Sequence, residues 1–113
     1  MELYLVDKVT DGIPEACCTM DIDGEEQAKF ITMLKAIANP TRFEIVKFLV
    51  THPGCITGDI VDHLPIAQAT VSQHLKVLRD AGWIEGSVSG PAVNYCLDAA
   101  SIAWFKTKVK LIF

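Results

Sequence analysis

With 113 residues, half of them hydrophobic, the chain has room for one compact domain and too much apolar content for disorder throughout. Its formal net charge of −4 is opposite to the usual basic footprint of a DNA binder, so contact with nucleic acid requires a local patch. No apolar run approaches the roughly 18 residues needed to cross a bilayer. The opening stretch, Met1 to Asp7, lacks the basic leader of a secretion signal, so a cytoplasmic location and no membrane partner are expected by elimination.

Residues 1–22 show no clear period and carry Gly12, Pro14 and the adjacent pair Cys17 and Cys18. They read as an N-terminal arm, and residues 23–113 as the folded domain. Asp23 and Glu26 have the spacing of a capping box, and Phe30, Met33, Leu34 and Ile37 then recur at helical spacing. Asn39 suits the cap of a second helix, and Pro40 its first turn, where no N–H is needed. Phe43, Ile45, Val46, Phe48 and Leu49 predict that this second helix is largely buried. Thr51-His52-Pro53-Gly54 ends it.

Thr57 is the expected cap of a short third helix holding Ile60, Val61 and Leu64, which Pro65 closes. The fourth helix is predicted over Gln68 to Asp80, with Val71, Leu75 and Leu78 as its apolar stripe and Gly82 just past its end. Alternation on both sides of Gly86–Gly90 predicts a β-hairpin from Trp83 to Leu97. Ser101 to Phe113, with Trp104, Phe105, Lys108, Leu111 and Ile112, predicts a final helix. The expected fold class is mainly α with a small β-hairpin, a winged helix-turn-helix, and the two helices around Pro65 form the helix-turn-helix.

With Val71, Leu75 and Leu78 inward, Gln68, Thr70, Ser72, Gln73, Lys76 and Arg79 fall on the outer arc of the fourth helix. That arc supplies the flexible donors and acceptors that base edges and phosphates require. An ordinary solvated face has the same pattern, so periodicity alone leaves both readings open. From Gln68 to Arg79 there are two cations, His74 and no acid, a local answer to the acidic total. Arg42 and Lys47 are further candidates for phosphate. Few phosphates are neutralised by so few cations, which predicts a shallow salt dependence.

Four cysteines are present: Cys17, Cys18, Cys55 and Cys96. In a reducing cytosol they are expected as thiols, and an adjacent pair makes a poor disulfide. Three thiolates suit a soft trivalent ion such as As(III) or Sb(III). The vicinal pair supplies two ligands from one stretch of backbone. Cys55, after the second helix, and Cys96, on the hairpin, are candidates for the third, although an isolated cysteine is equally a small packed hydrophobe. Zinc prefers four tetrahedral ligands. His52 and His63 offer no tight ligand spacing, so zinc ranks below arsenic, with cadmium or lead at the thiolates still open. An enzyme is not expected, because no phosphate-type loop, Cys-x-x-Cys or Ser/His/Asp arrangement is seen. A thiol-redox sensor of the same fold, pairing Cys17 or Cys18 with Cys55 or Cys96 on oxidation, and a protein-interaction module are the other readings.

Residues 34–42, residues 69–79 and Ala81-Gly82-Trp83-Ile84 resemble the ArsR (arsenic-repressor) family of winged-helix metal sensors. The second block is the most specific, and the likeness extends from Asp23 to Leu97. It implies a homodimer built by the first and last helices that blocks transcription on double-stranded operator DNA until an inducer binds. It places Gln68, Thr70, Ser72, Gln73 and His74 in or beside the major groove. An actinobacterial arsenic-sensing branch carries a vicinal pair on an arm and a third cysteine before the helix-turn-helix, the arm of one subunit reaching its partner. Cys17, Cys18 and Cys55 match that layout, which makes them the expected metal ligands. The family's Cys-x-Cys site ahead of the recognition helix is absent, and so are the His and Asp of its final-helix zinc site. Two further departures matter. Ala67 stands where such turns often carry a serine, and the hairpin from Ser87 to Asn94 has no Lys or Arg, which puts its contact with a minor groove in doubt.

Overall fold

The structure is a computed structural model and describes residues 20–113. Five helices and one hairpin follow in the order α1 (Gly24–Ile37), α2 (Pro40–Thr51), α3 (Thr57–His63), α4 (Gln68–Ala81), β1 (Ile84–Ser89), β2 (Ala92–Leu97) and α5 (Ala99–Ile112). This is the winged helix-turn-helix the sequence predicts. Among the described residues no helix is long and apolar enough to cross a membrane.

α1 buries Phe30, Met33 and Ala36, while Leu34 turns outward. The capping box expected from Asp23 and Glu26 does not form. Asp23 makes no side-chain cap, and Glu26 instead reaches Lys108 Nζ on α5 at 3.0 Å. A cation on a packed neighbour outcompetes the local amide, and the pair ties the first and last helices together. Asn39 behaves as expected: its Oδ1 accepts from the Arg42 N–H at 3.0 Å, with Pro40 in the first turn of α2.

α2 buries Ile45, Phe48 and Leu49, but Phe43 is 50% exposed and Val50 61%, so this helix is less enclosed than its composition suggests. The cause is register. Ile45, Phe48 and Leu49 define one face, and Phe43 and Val50 sit off it.

The cap of α3 is Ile56, not Thr57. The helix therefore starts at Thr57, one residue earlier than a Thr57 cap implies, directly after Ile56, which is extended beside the antiparallel bridge of Cys55 to Tyr95. The Asp59 carboxylate then accepts the Ile56 N–H at 2.9 Å and supplies the missing cap from inside the first turn. The bridge itself has no sequence signal. The Gly54 N–H donates to the Tyr95 carbonyl and the Tyr95 N–H to the Cys55 carbonyl, both at 2.8 Å. Asn94 Nδ2 donates to the Gly54 carbonyl at 2.9 Å. Together they fasten the hairpin to the loop between α2 and α3.

α4 buries Val71, Leu75, Leu78 and Ala81. It closes at Gly82, whose φ of +99° is strained for any residue with a Cβ. The Gly82 and Trp83 amides donate back to the Leu78 carbonyl at 3.1 and 3.0 Å. Trp83 then enters the core, where its indole N–H reaches the Met33 carbonyl at 2.7 Å. β1 and β2 pair antiparallel from Ile84↔Leu97 to Ser89↔Ala92, leaving Gly90 and Pro91 as a two-residue turn. α5 begins at Ala99, earlier than the Ser101 expected from sequence, because Asp98 caps it by accepting the Ser101 N–H at 3.1 Å. Phe105 packs on Phe30 and on Trp83, both with ring centroids 5.0 Å apart.

Candidate nucleic-acid interface and thiol site

α4 is the centre of the candidate interface. With Val71, Leu75 and Leu78 fully buried, Gln68, Ala69, Thr70, Ser72 and Gln73 are exposed along its first two turns. No acid lies among them. Ala67, at the cap position, makes no side-chain bond, so the helix starts uncapped as its sequence suggests. The two cations sit later and share a carboxylate. Lys76 Nζ is 2.9 Å from Asp80 Oδ2, and Arg79 Nε is 3.9 Å from Asp80 Oδ1. The hydrogen bond from Lys76 is the main reason the Asp80 carboxyl is held below the usual carboxylate range. The i,i+4 spacing of Lys76 and Asp80 on one helix is the sequence signal for this pair.

Arg42 and His74 occupy a different place from the other candidates. Arg42 Nε donates to the Ala36 carbonyl near the end of α1 at 2.8 Å. Its Nη1 lies 3.4 Å from His74 Nδ1, a long contact between α2 and α4. A guanidinium only donates, so Nδ1 accepts and the ring proton belongs on Nε2. Burial and then the Arg42 charge push the His74 imidazole below its ordinary value, which keeps it neutral. His74 is half-buried on the flank of α4 that faces α1 and α2. Arg42 therefore joins three helices, and through it the direction of α4 is referred to the end of α1. Lys47, the other candidate on α2, pairs with Glu44 at 3.4 Å.

On the far flank, Gln68 borders a hollow of about 260 Å³ that it shares with Thr57 and the hairpin residues Pro91 and Tyr95. The hairpin tip has no cation, and Val88 on it is 76% exposed.

Of the three expected thiol ligands, Cys17 and Cys18 lie outside the described residues, and so does most of the arm. Cys55 is 8% exposed, at the bridge to Tyr95. Burial, and then the nearby Asp59 charge, push its thiol up from the ordinary value. Cys96 is half-buried, and its Sγ lies 4.0 Å from Glu85 Oε2. Both are free thiols. His52 and His63 each pack on the Phe48 ring, at centroid distances of 4.1 and 4.5 Å. Among the described residues no three His, Cys, Asp or Glu side chains gather as a metal site.

Comparison with known proteins places this geometry. Residues 39–85, from the cap of α2 to the start of β1, match the model of the bacterial regulatory protein arsR family. The regulator NmtR of Mycobacterium tuberculosis is 30% identical over 82 residues, which are 73% of this chain and 68% of that protein. The chain belongs to the ArsR family. The transcriptional repressor SmtB of the same species is 43% identical over 65 residues, 58% of this ArsR-family chain. The chain spans about half the length of SmtB, since those residues are 47% of it. A solved structure described as "Possible transcriptional regulator for arsenical resistance" superposes with a TM-score of 0.63 at 29% identity, covering 70% of this chain and 81% of that one. In this ArsR-family fold the matched segment contains α2, α3 and α4, the elements that carry the exposed polar arc and the Arg42 bracket.

Proposed function

We propose that this chain is a transcriptional repressor, not an enzyme, that binds double-stranded operator DNA as a homodimer and leaves it when As(III) or Sb(III) binds Cys17, Cys18 and Cys55. The observation that carries the DNA reading is the acid-free arc of Gln68, Thr70, Ser72 and Gln73, exposed on a helix that follows a tight turn. Gln and Ser donate and accept, as base edges require, and the first turns of such a helix are the ones that meet them. His74, Lys76, Arg79 and Arg42 flank the arc. The named relatives support a regulator, and membership of the family supports a metal or metalloid inducer. Exposed apolar residues on α1 (Ile31, Leu34), on α5 (Val109) and just past its end (Phe113) support a dimer through those helices.

Soft thiolates suit trivalent arsenic better than the harder ions do. Three thiols and arsenous acid give three As–S bonds, each thiol proton leaving with a hydroxyl as water. The raised Cys55 thiol is then no obstacle, because the metalloid takes the sulfur and the departing hydroxyl takes the proton. The same rise makes Cys55 the poorer candidate for the attacking thiolate of a redox pair. Because the Cys55 backbone pairs with Tyr95, drawing its sulfur out of the core disturbs the attachment of the hairpin. That offers a path from thiol to DNA-binding surface.

The test is fluorescence anisotropy of the reduced protein on a labelled duplex from upstream of its own gene, titrated with arsenite, zinc or peroxide. Release at near-stoichiometric arsenite, lost in Cys55→Ser and in Cys17→Ser/Cys18→Ser, is the expected result. DNA binding indifferent to arsenite removes the metalloid, and no binding at low salt removes the repressor.

A further inference from the structure

A cleft of about 320 Å³ opens between α1 and α4, with Lys35, Ala36 and Arg42 on one side and Val77, Asp80 and Ala81 on the other. Val77 and Asp80 lie one turn beyond Gln73 and Lys76, on the same outer side of α4. The mouth of the cleft is therefore continuous with the exposed arc, towards the C-terminal end of the helix. Most lysines of the folded part have a partner: Lys47 has Glu44, Lys76 has Asp80, Lys108 has Glu26, and Lys29 lies over the Trp104 ring at 4.3 Å. Lys35 has no ion pair among the described residues. The carboxylate across the cleft, Asp80, is already engaged by Lys76 and Arg79, so the balance at the mouth is positive. Arg42 adds a guanidinium whose Nε and Nη1 are committed to Ala36 and His74.

We propose that this cleft receives a backbone phosphate of the bound duplex and that Lys35 is the residue that neutralises it. A helix lying in the major groove with its first turns on the bases brings its later turns past the phosphate strand that walls the groove. On the cleft side of α4 those later turns present Val77 and Asp80, which bind no phosphate, while Lys76 and Arg79 do not line the cleft and are paired with Asp80. The charge comes instead from the end of α1. Nothing in the sequence marks Lys35, because it stands 33 residues before Gln68 and only the packing of α1 on α4 brings it to the arc. The cleft also ties α1 to DNA directly, beside the bracket that Arg42 makes to the same helix.

This inference rests on the DNA-binding reading, and the experiment separates the two. Affinity is measured by anisotropy against salt for wild type, Lys35→Gln, Lys35→Arg and Lys106→Gln, on the upstream duplex and on one of unrelated sequence. Lys106, exposed on α5, controls for net charge. Inorganic phosphate is titrated at constant ionic strength as a competitor. Thermal unfolding of each variant confirms the fold. In Lys35→Gln the expected result is a loss of several-fold on both duplexes by the same factor. The log–log salt slope should fall by about 0.9 for each phosphate contact removed. Lys35→Arg should restore most of it, and Lys106→Gln should leave the slope unchanged. An unaltered slope in Lys35→Gln, a loss on the upstream duplex alone, or an equal effect from Lys106→Gln overturns the inference while DNA binding stands. Displacement of wild type, but not Lys35→Gln, by low millimolar inorganic phosphate would make the cleft a site for the free ion and also overturn it. Failure of the wild type to bind either duplex overturns the repressor reading and the inference with it.

Discussion

His74 shows how one residue links acidity to the shape of the interface. Its ring accepts from Arg42 only while Nδ1 is unprotonated, and burial together with the Arg42 charge disfavours the imidazolium. The folded pKa is lowered, so the unfolded chain binds the extra proton more readily. Stability from this group is therefore present above the ordinary histidine range and is lost as pH falls through it. Chemical denaturation from about pH 7.5 to about pH 5.5 should show a falling midpoint, and His74→Gln should flatten that fall. A variant with the same pH dependence as wild type would detach His74 from the effect. Arg42 stands beside it as a positioning residue: its contacts are an α1 carbonyl and an α4 ring, so its placement among phosphate ligands rests on what remains of the guanidinium.

Among the elements, α4 was the most legible from sequence and its neighbours the least. Val71, Leu75 and Leu78 recur with one helical period and are all fully buried, and Gly82 stops the helix where a positive φ is needed. Asn39 and Pro40 likewise mark the start of α2 through chemistry confined to four residues. One misreading has a partner distant in sequence: Glu26 left its capping box for Lys108, 82 positions away. Another is local, since the Asp59 carboxylate accepts the Ile56 N–H and α3 starts one residue before a Thr57 cap would allow. The roles of Lys35 and Arg42 depend on how α1, α2 and α4 pack, whereas Asp80 takes its partners, Lys76 and Arg79, from its own helix. One local reading yields a direct forecast. Ala67 leaves the first amides of α4 without a side-chain cap, so Ala67→Ser should raise stability by about 1 kcal/mol in denaturant unfolding. No change would mean that the hydroxyl cannot reach the amides from an extended residue 67.

For the whole molecule, the acidic total and the proposed DNA contact are less opposed than the net charge of −4 suggests. Much of the excess lies in residues 1–19, where Glu2, Asp7, Asp11 and Glu15 meet only Lys8. Acids and bases are close to balance in the rest, and the exposed start of α4 carries neither. A chain lacking residues 1–19 should therefore bind the upstream duplex at least as tightly as the full chain. It should also fail to respond to arsenite, because Cys17 and Cys18 are gone. Retained release by arsenite in anisotropy would remove the vicinal pair from the inducer site.

The bridge between Cys55 and Tyr95 fixes more than the position of the hairpin. In extended backbone, successive side chains alternate between faces, so inward or outward is a matter of parity. Cys55 is buried because an odd or even count from the end of α2 happens to set it inward opposite Tyr95. Lengthening Pro53-Gly54 by one residue would keep every helix intact and yet turn the sulfur to solvent or break the pairing. The loop is thus a counted length rather than a spacer. Insertions should be tolerated at the Gly90-Pro91 tip and rejected between His52 and Ile56, although each holds an adjacent glycine and proline.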